Sequence, residues 1–181
     1  MEEKIVKDMN RLKGSSSEHI LTVATVILFA LAFAYLEYYY ILVDGVPYRE
    51  AMTPVIANLY GYDLLIFIPA LALFSFYPLI RQAMTKSMTP ANPRTTIAIG
   101  LGSFLLSLIL KDATWYLFRS FAPVYSDPLA HQWIRPSDYT ASLLGYADIW
   151  GLRIPLWYIV LSPIIIAIFI SLRITRRAGL E

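Results

Sequence analysis

The sequence predicts an all-α integral membrane protein: four transmembrane helices in one bundle, both termini cytoplasmic, with long aromatic outer loops. Three observations predict it. Four stretches, 20–36, 64–80, 95–110 and 154–172, run 17, 17, 16 and 19 residues without a charge. A helix needs roughly 20 mostly apolar residues to cross a hydrocarbon core. Hydrophobic residues make up 57% of the chain and charged ones 15%, where a soluble domain carries about 25% charged. The lysines and arginines cluster on alternate connections, as the inner side of a multi-pass protein requires.

Taken in order, residues 1–18 form a polar cytoplasmic lead-in. They mix Glu2, Glu3, Lys4, Lys7, Asp8, Arg11 and Lys13, which does not suit a cleavable signal peptide. Gly14 and Ser15–Ser17 are expected to break this amphipathic or irregular segment from the first span, with Ser17 as its cap. The first span is placed at about 19–42 and the second at 62–82, where Pro69 and Pro78 should bend it. Neighbouring helices can satisfy the carbonyls that such prolines free. Pro90 and Pro93 end one helix and prepare the next, so the third span is placed at 95–119. The fourth is placed at 153–173, with Pro155 in its first turn and Pro163 inside it. Residues 1–181 are read as a single transmembrane helical domain, with 120–152 as an outer loop cap and a short interfacial helix expected over 138–144.

Orientation follows from charge. The lead-in carries four basic residues, the 81–94 loop three and the C-terminal tail three, while the opposite side holds Arg49, Arg119, Arg135 and Arg153. That asymmetry places both termini in the cytoplasm and suits a plasma membrane. All four tryptophans, Trp115, Trp133, Trp150 and Trp157, fall on or near the outer side, with 12 of 13 tyrosines. Aromatic residues favour interfaces, so these are the expected interface residues. Gly100, Gly102, Ser103 and Ser107 form a small-residue patch that lets another helix approach closely.

Several ionisable residues fall in the outer half of the spans: Glu37, Asp63, Lys111, Asp112, Arg119 and Arg153. A charge at the bilayer centre is costly, about 2.5–3.5 kcal/mol on insertion scales, so such groups turn inward and pair. Asp112, Trp115, Tyr116 and Arg119 recur at helical spacing and share one face. A buried ion-pair network is one reading of the cluster, with Lys111 on Glu37 and Arg119 on Asp112. A divalent-metal or proton-handling site from Glu37, Asp63, Asp112 and His131 is a second, since carboxylates and imidazole suit hard and borderline metals. Snorkelling of the long side chains to the surface is a third.

The chain has no cysteine and two histidines, His19 and His131. Iron–sulfur clusters and thiolate zinc sites are excluded. The two histidines are expected on opposite sides of the membrane, which argues against a bis-histidine haem. No hydrolase, zinc-protease, P-loop or dinucleotide motif is present, and the basic residues form no run suited to nucleic acid. The expected function is that of an accessory or structural subunit of a larger membrane complex, with lipids and other membrane subunits as partners. A membrane-embedded enzyme or transporter using the carboxylate cluster is the alternative. A quinone or lipid binder, with Trp115 lining an intramembrane cleft, is a further one.

Overall fold

A computed structural model of the chain describes residues 2–38, 63–84, 93–121, 133–134 and 138–177. The described residues are mostly helical. Helix α1 covers Glu2–Leu36 and ends in a π turn at residues 37–38. A second π turn, Asp63–Phe67, leads into α2, Ile68–Met84. Helix α3 covers Pro93–Phe121, a short α4 covers Tyr139–Leu144, and α5 covers Leu156–Arg177. Strands β1, Tyr146–Ile149, and β2, Leu152–Pro155, form an antiparallel hairpin between α4 and α5.

Among the described residues, three helical segments are long and apolar enough to cross a membrane: His19–Leu36, Pro93–Phe121 and Leu156–Arg173. The fourth apolar segment, Leu65–Arg81, is shorter. Its first residues belong to the π turn, and Pro69 sits in the first turn of α2, where a missing N–H is tolerated.

The expected break at Gly14–Ser17 is absent, because α1 runs through it unbroken. A single glycine costs a helix about 1 kcal/mol and each serine a few tenths. The long helices on either side outweigh that, so Ser17 lies inside a helix and not at its start. The fourth helix begins at Leu156, three residues later than expected, because Leu152–Pro155 pairs with Tyr146–Ile149 instead. Pro155 therefore closes a strand. The short helix expected over 138–144 is present as α4.

Helix α3 is the hub, packing against α1, α2 and α5, while α1 also packs against α2. Its small residues make this possible. A Cβ on Gly100 would stand 2.7 Å from the Phe76 ring and 2.9 Å from the Ser75 carbonyl of α2. One on Gly102 would stand 3.2 Å from Ile168 and Phe169 of α5. The two glycines thus serve two different neighbours. Across from α3, helix α1 presents Val26, Ala30 and Ala34, all fully buried. Val26, Phe67 and Leu71 form the apolar core, with Phe29, Phe33, Phe104 and Leu108 around them.

Candidate functional site

Charged residues of the described helices gather with polar partners into three knots. The first joins α1 to α3. Lys111 Nζ lies 2.5 Å from Glu37 Oε2, with both side chains about nine-tenths buried. The contact is an ion pair by distance, not an aligned hydrogen bond. Glu37 stands in the π turn that ends α1. The ammonium also sits over the Phe33 and Phe67 rings, at 5.8 and 5.4 Å, a placement that the negative ring faces favour. Lys111 is therefore held by three elements: α1, α3 and the turn before α2.

The second knot ties α3, α4 and α5 together through Asp112. Tyr158 donates its hydroxyl to Asp112 Oδ2 at 2.5 Å, and Thr140 donates to the same oxygen at 2.7 Å. Trp157 Nε1 donates in turn to the Thr140 hydroxyl at 2.9 Å. A carboxylate accepts several donors at once, and hydrogen bonds to an ionised group are the strong ones. Asp112 is thereby satisfied by groups 28 and 46 residues further along the chain.

The third knot pins Trp133 and Asp138 to the end of α3. Arg119 is 1% exposed. Its Nη1 and Nη2 donate to the two Asp138 oxygens at 3.2 and 2.7 Å, the forked geometry of a bidentate pair, and Nη2 also donates to the Trp133 carbonyl. The guanidinium stacks over Tyr116 at 4.6 Å and Trp115 at 5.3 Å. Asp138 precedes α4 with extended backbone and makes no side-chain cap there, because its carboxylate is committed to Arg119. Trp133 Nε1 donates to the Arg153 carbonyl at 2.9 Å. Arg153 itself reaches Asp148 at 3.1 Å, the Ile134 carbonyl at 3.3 Å and the face of Tyr146.

The structure thus brings Glu37 to Lys111, Asp112 to Tyr158, and Arg119 to Asp138. The expected pairing of Arg119 with Asp112 gives way to these partners. Seven residues of helix are about 10 Å, and the loop aspartate comes closer. Arg153 joins neither Lys111 nor Asp112 but serves the hairpin. His131 and the side chain of Asp63 lie outside the described residues. Among the described residues, no three histidine, aspartate or glutamate side chains come together as a metal would need. Of the four tryptophans, Trp115 packs on Tyr38, Trp133 bonds the Arg153 carbonyl and Trp157 bonds Thr140. Trp150 stands at the hairpin tip, 99% exposed. The partners Asp138, Thr140, Asp148 and Tyr158 were not evident beforehand. Their one signal is polar side chains on the segments flanking a charge in an apolar run.

The apolar helices define a helical protein of membrane type, and among the described residues the buried charges Glu37, Lys111, Asp112 and Arg119 each have partners within the chain. Comparison with known proteins adds nothing to that class: no protein family, no curated protein and no solved structure matches the chain.

Proposed function

We propose that the chain is a four-span protein of the plasma membrane, with both termini cytoplasmic, that serves as an accessory or structural subunit of a larger membrane complex. Helices α1, α3 and α5 supply three spans, and the 65–81 segment with its π turn supplies the shorter fourth. Membrane lipids and other membrane subunits are its partners.

The observation that carries this reading is the asymmetry of α5. Only 6% of Leu156–Arg173 is buried within the chain, against 44% of Pro93–Phe121. Val160, Ile164, Ile166 and Ile170 line its exposed side. An apolar face this continuous marks an interaction surface, and neighbouring helices are the occupant that fits a subunit. The three knots support the same reading. Charges held by fixed internal partners hold helices in register, which is what a docking scaffold needs.

Gentle-detergent extraction, size separation and mass spectrometry test it. The expected result is a large particle with defined partner subunits, and Ile164→Trp with Ile170→Trp should release the chain from it still folded. A stable monomer with an activity of its own would overturn the proposal.

A further inference from the structure

We infer that the β1–β2 hairpin is a membrane-interface anchor, with Trp150 and one apolar hairpin face seated in the headgroup layer of the outer leaflet. The inference rests on the reading of α5 as a span.

The first observation is backbone strain without internal compensation. Trp150 and Gly151 join the strands with φ of +50° and +82°. Positive φ at both positions is what a type I′ hairpin turn requires, and Asn-Gly is its usual occupant. A bulky residue is a true outlier there. Strain of this kind points to function when nothing local explains it. Trp150 is 99% exposed, so the indole gains nothing from its own chain. A large aromatic held in a costly conformation and aimed outward has its partner outside the chain.

The second observation is the chemistry of the hairpin faces. The register sets Asp148 opposite Arg153 on one face, where the two pair. The other face carries Ala147 opposite Ile154 and Ile149 opposite Leu152. Ile149 is 40% and Leu152 57% exposed, and this face has no charge at all. An amphipathic element with a tryptophan at its end suits the boundary between apolar and wet layers.

The third observation is height. The 18 residues of Leu156–Arg173 span about 27 Å at 1.5 Å per residue, close to the roughly 30 Å of a hydrocarbon core. That places Leu156 at the outer boundary of the core. The Tyr158–Asp112 bond sets Asp112 level with the start of α5. The nine residues of α3 beyond Asp112 therefore overshoot the core by about 14 Å. Strand β2 runs directly into α5, so the hairpin starts at that boundary, and it is tied to the end of α3 through Trp133, which packs on Tyr116 and bonds the Arg153 carbonyl. Four residues of strand measure about 13 Å, so the hairpin occupies the interfacial layer and little beyond it. Lipid headgroups are the occupant at that depth.

The absence of native cysteine makes the test clean. A single Leu152→Cys is spin-labelled in the full chain and reconstituted into phosphatidylcholine–phosphatidylglycerol vesicles. Ile166→Cys on exposed α5 is the reference. The expected result is a Leu152 label reached by oxygen in preference to an aqueous nickel chelate, with the preference reversed when Trp150→Asn is added. Trp150→Asn should itself leave the chain folded, since asparagine suits the turn. If the Leu152 label favours the nickel chelate while the Ile166 label lies in lipid, the anchor is refuted and the spanning helix stands. If both labels lie in water, the spanning reading falls and the anchor with it. A Leu152 label closed to both reagents would refute lipid contact in favour of a second copy of the chain.

Discussion

Lys111 and Glu37 illustrate how a buried charge is managed in this molecule. Removing one partner of a buried pair leaves the other uncompensated, a loss of about 3–5 kcal/mol, whereas replacing both with apolar groups is often neutral. Glu37→Gln or Lys111→Met alone is therefore expected to lower detergent stability strongly, and the double variant Glu37→Leu with Lys111→Met to recover most of it. Thermal unfolding followed by circular dichroism reads the difference. If the singles and the double unfold together, the pair is not what holds α1 to α3. Asp112 behaves differently, because two hydroxyls share its load. Tyr158→Phe removes one donor and leaves Thr140, so a loss of about 1.5–3 kcal/mol is expected, the range for hydrogen bonds to charged groups. An unchanged midpoint would show that the Thr140 bond alone suffices. These positions were legible as buried charges because ionisable residues stand out in apolar runs. Their partners were not. Tyr158 reads as one more interfacial tyrosine, and Asp138 reads as a loop residue until the loop is folded back onto Arg119.

At the scale of the element, hydrophobic length located the helices and missed what joins them. The apolar run shows where the core of a helix lies but not where hydrogen bonding stops. Helix α1 therefore extends back through Gly14 and the serines, and the second apolar segment is shared between a π turn and α2. The hairpin escaped notice for a local reason. Its strands are four residues long, and Trp-Gly is a poor match to the usual turn signal. Gly145 and Gly151, both with positive φ, bracket β1 and were the available clue. The small-residue patch on α3 makes a graded prediction. At Gly100 an added methyl meets ring carbons and a backbone oxygen inside 3.0 Å, while at Gly102 it meets side-chain ends at 3.2–3.3 Å. Gly100→Ala is expected to destabilise by about 1–3 kcal/mol, as overpacking does, and Gly102→Ala by less, because side chains yield more easily than a carbonyl. Unfolding midpoints in one detergent would decide it. Equal effects would mean that α2 and α5 hold α3 equally tightly.

At the scale of the whole molecule, the membrane class was visible in composition and run length alone, and the described helices agree with it. The arrangement of neighbours was only partly visible. Consecutive helices α1 with α2 and α2 with α3 lie side by side. Nothing in the sequence announced that α3 would gather all the others, because that follows from glycines facing two ways. The Asp112 knot has a consequence for how such a chain is made. A chain is made from its N-terminal end, and Asp112 is joined to it before either of its donors. Thr140 lies 28 residues later and Tyr158 46. Glu37, by contrast, has already emerged when Lys111 arrives. For a stretch of synthesis, then, α3 carries one charge that can be neutralised at once and another that must wait. The knot closes fully only once α5 has joined α3, so these two helices complete their fold together.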